Sequence, residues 1–246
     1  MSVVGLIPAR LQSTRLPGKA LKDVCGLPAI VHVYKRCLLA KSLDDVRVVT
    51  DSPEIRDAVE GHGGKVVMTG PHRNGSERIF EASRQLDCDI IVNIQGDEVL
   101  VYPEHVDKIV APLIENPELE YTIGMTPYDK VACPDDFKAV VNLRGDLLYC
   151  SRADIPSSSI VHDERRMKMV FIVCFTRASL EQFVTWDETP LERREPNEFL
   201  RILEHGKTLR TVVVPGAKIS LDTQTDLEEI RSLMLVDDLF RTYRTR

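Results

Sequence analysis

The sequence predicts an α/β protein in which a mostly parallel central sheet carries an inserted lobe of mixed strands. Three observations lead there. The first half alternates short apolar strand-like runs with amphipathic helical segments, as in a parallel sheet covered on both faces. Runs such as "DIIVNI" are mainly apolar, which suits strands buried on both sides. From residue 121 onward, strand-like segments follow one another closely, so the chain changes sub-structure.

Taken in order, the first strand is "VVGLIP" at 3–8, followed by a loop and a helix at 28–41. Strands "DVRVVTD" (45–51) and "KVVMT" (65–69) flank a helix at 53–62. A helix at 76–86 leads to the strand "DIIVNIQGDE" (89–98), and a helix at 103–115 closes the alternation. "YTIGMTPY", "FKAVVNL", "DLLYCSR" and "MKMVFIVCF" then read as strands, with "LRGD" as a hairpin turn. Helices are expected at 178–185 and 191–205, and "TLRTVVVP" supplies one more strand. A last helix begins near Thr225, where "TDLEE" resembles a capping box, and runs to the basic end "RTYRTR".

With 246 residues, 43% of them hydrophobic and 28% charged, the chain has the composition of an ordinary soluble globular protein. A net charge of −6 argues against general nucleic-acid binding, which leaves a basic footprint. No apolar run reaches membrane-spanning length and no signal peptide precedes the first strand, so a cytoplasmic protein without a membrane partner is expected. Cys25, Cys37, Cys88, Cys133, Cys150 and Cys174 are scattered without CxxC spacing, which disfavours a disulfide framework or a zinc site. His32, His62, His72, His105, His162 and His205 show no metal-ligand spacing. His32 and Trp186 read as packing residues.

The chemistry concentrates in three places. "IPARLQSTRLPGK" (7–19) leaves the first strand at the sheet edge where α/β proteins bind ligands, and it delivers Arg10, Arg15 and Lys19. It lacks the spacing of a P-loop or a dinucleotide fingerprint, so side chains would have to share in holding phosphates. A solvated basic loop is the alternative. "NIQGDE" (93–98) brings Asp97 to the same edge, where a hard oxygen beside a triphosphate suits Mg²⁺. A turn that uses Gly and Asp for their conformational tolerance is the other reading. "KISLDTQTDL" (218–227) places Asp222 before the last helix, as a second metal carboxylate or as a turn residue.

Together with "NGSER", "LYCSRADIP" and "PLERREPNEFLRILEHG", these stretches occur in an order and spacing that resemble the 3-deoxy-manno-octulosonate cytidylyltransferase (CMP-Kdo synthetase) family over essentially the whole chain. The resemblance implies a nucleotidyltransferase (Rossmann-like) fold in one domain. Residues 1–130 would form the nucleotide-binding part, 131–215 the acceptor and dimerisation lobe, and 216–246 the returning metal loop and C-terminal helix. It implies a homodimer that moves CMP from CTP to a small anionic acceptor with loss of pyrophosphate, as in lipopolysaccharide biosynthesis. Arg10, Arg15 and Lys19 would hold the triphosphate, Arg78 would help bind the nucleotide, and Gln95 would lie near the acceptor at the edge of the metal site, serving nucleotide and acceptor binding. Asp97 and Asp222 would ligate Mg²⁺, with Lys19, Arg10 and Asp97 carrying the catalytic step. Ser151 and Arg152 would position the acceptor.

The pattern breaks in the acceptor region. A His-x-Gly-x-Tyr-x-Tyr strand aligns with "MVFIVCF", so Met169, Phe171 and Val173 replace His, Gly and the first Tyr. In a Leu-Glu-Gln-Leu-Arg stretch, Asn197 and Phe199 replace Leu and Gln, and Val99 replaces the proline after Gly-Asp-Glu. Met169 and Phe199 thus stand at acceptor-binding positions. Polyhydroxylated substrates need hydrogen-bond partners, so these changes suggest an acceptor smaller or less hydroxylated than Kdo. A phosphonate such as phosphonoformate, in phosphonate biosynthesis, is the alternative to an octulosonate. Arg165, Arg166 and Lys168 of "HDERRMKM" could supply charge or form a solvated turn. Transfer with another nucleotide, or a catalytically silent nucleotide-binding paralogue, is the remaining reading.

Overall fold

In a computed structural model, residues 1–157, 166–217 and 219–244 are described. His162 and Arg165, and the last two residues of "RTYRTR", lie outside them. The chain divides into two compact units, 1–107 with 218–246, and 108–217.

The first unit begins with β1 (Val3–Pro8), a 3-10 turn at Lys19–Leu21, a two-residue pair β2 (Asp23–Val24) and β3 (Leu27–Pro28), and α1 (Ala29–Cys37). It continues through β4 (Asp45–Thr50), α2 (Pro53–Glu60), β5 (Val66–Met68), α3 (Gly75–Ser83) and β6 (Ile90–Ile94). The division of the chain falls inside α4 (Pro103–Glu115). The expected parallel sheet is present, in the order β6-β1-β4-β5, with Gly5 opposite Val46 on one side and Val92 on the other. All six residues of β1 and all five of β6 are buried, Asn93 included, as suits mainly apolar strands covered on both faces. Ser52 and Asn74 cap α2 and α3 by accepting from Ile55 N and Glu77 N, which satisfies amides that a helix start leaves open.

The second unit holds β7 (Tyr121–Tyr128), β8 (Lys138–Val141), β9 (Leu147–Ser151), β10 (Arg166–Thr176), α5 (Arg177–Thr185), α6 (Pro190–Arg194), α7 (Leu200–Glu204) and β11 (Arg210–Val213). Its strands are mixed: β11 runs parallel to β7, while β7–β10, β10–β8 and β8–β9 are antiparallel. Gly145 turns the β8–β9 hairpin at φ +82, a conformation glycine adopts without penalty. The single helix expected at 191–205 is two short ones. Pro196 has no amide to continue α6, and Asn197 N bonds to Glu192 O instead.

The chain then returns to the first unit as α8 (Gln224–Leu235) and α9 (Asp238–Tyr243). The cap of α8 is Thr223 rather than Thr225. Asp226 N donates to Thr223 Oγ1, and Thr223 N donates to Asp226 Oδ2, closing the capping box two residues earlier than expected. The last helix is also interrupted: Asp237 caps a separate α9 by accepting from Leu239 N and Phe240 N. Two buried polar residues of α1 tie this segment down. His32 bonds Val24 O (2.7 Å) and the Tyr243 hydroxyl (2.9 Å), and burial pushes its pKa down to about 4. Arg36 donates to the carbonyl of Val101 and pairs with Asp237 at 3.0 Å.

Candidate active site in the first unit

The cleft of this unit is bounded by the turn after β1 (8–20), residues 72–78 at the start of α3, residues 95–97 after β6, and Asp222. All four segments meet where parallel strands β1 and β6 end, the edge at which α/β sheets bind ligands. Its volume of ≈ 850 Å³ falls within the range of small-molecule and cofactor sites. Gly18 carries the turn through φ +67, just before Lys19. At Gly96 a Cβ would lie 2.8 Å from Pro8 O, so only glycine lets the strand end approach the basic loop this closely.

Lys19 is the centre of the cluster. Its Nζ donates to Asp97 Oδ2 at 2.5 Å and to Asp222 Oδ1 at 3.1 Å, across 78 and 203 residues of sequence. Arg15 Nη2 also pairs with Asp222 Oδ1, at 2.9 Å. Burial works against the Lys19 charge, but the two carboxylates outweigh it and hold the ammonium above the usual lysine range. Arg10 is exposed on the same turn. Gln95 lines the cleft and donates to Asn93 Oδ1 at 3.3 Å. Arg78 also lines it, although its side chain is almost entirely buried, pairing with Asp51 (3.1 Å) and donating to Thr69 Oγ1 (2.9 Å).

Two residues bound this cleft that sequence reasoning did not single out. His72, 2.5 Å from Glu81, and Asn74, the cap of α3, both stand on the segment that opens the helix. Asn74 is the first residue of "NGSER" and His72 lies two residues before it, so that motif was the available signal. The hydrogen bond from His72, with smaller help from the Gly70 amide, holds the Glu81 carboxyl below its usual range.

The remaining predicted residues lie in the second unit and are engaged within it. Glu195 accepts from Ser151 Oγ (2.6 Å), Tyr149 OH (3.1 Å) and Arg152 N (3.0 Å). Burial opposes its charge, but these three donors hold its carboxyl below the usual range. The Ser151 hydroxyl also accepts from Ala153 N, so its proton and a lone pair are both committed. Arg152 lies 4.3 Å over the Phe137 ring and donates to Pro134 O and Asp135 O. Met169 and Phe199 are 4% and 3% exposed. Phe199 joins a ring cluster with Phe171, Phe175 and Phe183 at 6.2–6.4 Å. Arg166 and Lys168 stand on β10 and pair with Asp154 and Asp136, rather than forming a solvated turn. Trp186 stacks on His205 at 4.1 Å, the packing role expected of it.

Among the described residues no helix is long and apolar enough to cross a membrane, and no group of three or more His, Cys, Asp or Glu could hold a metal ion. All six cysteines are free thiols.

Residues 4–241 match the family described as cytidylyltransferase. The chain is 40% identical over 242 residues to the 3-deoxy-manno-octulosonate cytidylyltransferase of Paramagnetospirillum magneticum, covering 93% of this chain and 96% of that one. It is 36% identical over 232 residues to the Escherichia coli enzyme of the same name, covering 93% and 94%. It also superimposes on the structure of a CMP:2-keto-3-deoxy-manno-octonic acid synthetase complexed with CTP, with a TM-score of 0.92 and 36% identity over 96% of this chain and 99% of that one. A Leptospira borgpetersenii cytidylyltransferase at 21% identity and TM-score 0.67 shares the fold. The chain therefore belongs to the cytidylyltransferase family.

Proposed function

We propose that this chain transfers CMP from CTP to an acidic sugar of the 3-deoxy-octulosonate class and releases pyrophosphate. The observation that carries the reading is the meeting of Lys19, Asp97 and Asp222 at the ends of β1 and β6. Nucleotidyl transfer asks for positioning and charge neutralisation more than for a protein nucleophile. The turn after β1 supplies cations for a polyphosphate: Arg10 is open at the cleft, while Arg15 and Lys19 are drawn onto the two aspartates.

The donor set fits Mg²⁺, which typically binds through one or two carboxylates plus substrate phosphates. The nearest oxygens of Asp97 and Asp222 already share one cation, the Lys19 ammonium, so the two carboxylates converge on positive charge. Bound there, the metal would supply charge stabilisation on the transferring phosphoryl group. In this reading Lys19 and Arg15 turn from the carboxylates to the phosphate oxygens when CTP enters. The acceptor hydroxyl, losing its proton to solvent water, then attacks the α-phosphorus in line, its new P–O bond forming as the bond to pyrophosphate breaks. Lys19 and the arginines neutralise the departing pyrophosphate. Arg78, fixed by Asp51 and Thr69, and Gln95 orient the nucleotide from the cleft wall. The homodimer implied by the resemblance belongs to the same proposal.

A second reading, transfer to a small phosphonate such as phosphonoformate, is favoured by one observation. Met169, Val173 and Phe199 are buried apolar groups where the family pattern has hydrogen-bonding side chains. A pyrophosphate-release assay with CTP and Mg²⁺, run in parallel with Kdo and phosphonoformate, tests both. Efficient turnover of Kdo supports the first reading and removes the second. Turnover of phosphonoformate alone reverses that order, and no release with any acidic acceptor contradicts the enzyme reading.

A further inference from the structure

The segment that carries Asp222 back to the cleft belongs to neither helix nor strand. Residues 219–223 lie between the second unit and α8 without a ladder of their own. Something must nevertheless fix Asp222 against Asp97, because metal ligands act only when held close to a productive geometry.

Two hydrogen bonds across that gap meet the need. Leu221 N donates to Asp97 O at 2.9 Å, tying the backbone of one aspartate to the residue before the other. Immediately beside it, Ser220 Oγ donates to Glu98 Oε1 at 2.6 Å, between residues 122 apart in sequence. Leu221 itself is fully buried and anchors the strap. On the far side, Asp226 Oδ2 accepts from Asp222 N and Thr223 N, so the cap of α8 fixes the same residue from behind.

We infer that Glu98 and Ser220 form a latch that registers Asp97 against Asp222, making both positioning residues for the metal that these aspartates would hold. The inference rests on the two-carboxylate reading proposed above. Glu98 follows one ligand and Ser220 precedes the other by two positions, so neither needs to touch the metal or the nucleotide. A carboxylate is the stronger acceptor for a hydroxyl. A glutamine keeps an acceptor in the same place, whereas alanine removes it.

The experiment is Mn²⁺ binding, followed by electron paramagnetic resonance, to the full chain with a non-hydrolysable α,β-methylene CTP analogue. Affinity of the analogue in EDTA is measured alongside. Outer-shell partners of metal ligands typically contribute about 10–100-fold in metal affinity. Glu98→Ala and Ser220→Ala are each expected to weaken Mn²⁺ by about 10-fold, with metal-free nucleotide affinity unchanged. The double variant is expected to be no worse than either single one, because both remove the same bond. Glu98→Gln is expected to recover most of the affinity. Asp222→Asn is the control for the ligand reading. Unchanged Mn²⁺ affinity in both alanine variants, with loss in Asp222→Asn, overturns the latch alone. Unchanged affinity in Asp222→Asn as well overturns the latch together with the metal reading. Weakening of metal-free nucleotide binding to the same extent as Mn²⁺ also overturns the latch, since a general loss of cleft structure would do that.

Discussion

The first-unit cleft and the Glu195–Phe199 region of the second unit differ in how they treat charge. Around the cleft, Arg15, Lys19, Asp97 and Asp222 are partly exposed, and their pairings are cation to carboxylate across loops. Around Glu195 the polar atoms are spent on one another, and Met169 and Phe199 are packed among rings. An exposed ion pair contributes little to stability, about 0–1 kcal/mol, so it is easily exchanged for a ligand. A buried ring cluster contributes several kcal/mol and is not exchanged. On the function proposed above, the first region would exchange its ion pairs for an anion, while the second holds its shape.

Substitutions can break or sharpen that contrast. The largest effect is expected from Asp97→Asn and Asp222→Asn. Each should slow pyrophosphate release by about 1,000-fold, because several kcal/mol of charge stabilisation is at stake while the fold is left intact. A loss below ten-fold, with an unchanged melting temperature, would show the carboxylates to be bystanders. Next, Phe199→Ala should cost about 3–4 kcal/mol of stability, as for other buried aromatics. Denaturant unfolding reads it, and an unchanged midpoint with a raised acceptor KM would make Phe199 a binding residue instead.

Lys19→Met should lower kcat by about 100-fold, the magnitude typical of removing one donor aimed at developing charge. It should also tighten Mn²⁺ binding to the nucleotide-free protein, since the competing ammonium is gone. A single set of steady-state and Mn²⁺ titrations checks both signs. The smallest effect is expected at Glu195. Its carboxyl is held low in the folded protein, so its contribution to stability is present above the unfolded carboxylate pKa. That contribution is lost as pH falls through the lower folded value. Glu195→Gln should remove about 1–2 kcal/mol at neutral pH and flatten the acid limb of the stability profile. Parallel acid limbs in the two proteins would contradict the assignment.

Much of this was legible in the chain, and the gaps have physical causes. Strand β1 runs Val3–Pro8, the limits its apolar run sets, and Ile90–Ile94 sits within the expected strand because both are buried through and through. The helix expected at 191–205 failed at Pro196, whose missing amide outweighs the surrounding apolar spacing. The last helix failed at Asp237, a capping residue inside a segment that otherwise reads as continuous. Lys19 and Asp97 could be placed at one sheet edge by strand-end reasoning, and Asp222 only through the resemblance. That the lysine sits between the aspartates is a tertiary fact without a local signature. The Ser220–Glu98 bond was invisible for the same reason, since no periodicity links positions so far apart. At Ser151 the resemblance implied an acceptor contact, and the hydroxyl bonds Glu195 in the folded chain, a pairing across 44 residues with no local signature.

One measurement reaches the centre of the account most directly: a crystal structure of the protein with CTP and Mn²⁺, with the metal located by its anomalous signal. The account predicts manganese between the carboxylates of Asp97 and Asp222, with Lys19 Nζ moved off them and within hydrogen-bonding distance of phosphate oxygens. Manganese elsewhere, with Lys19 still bridging the two aspartates beside a bound nucleotide, would contradict it.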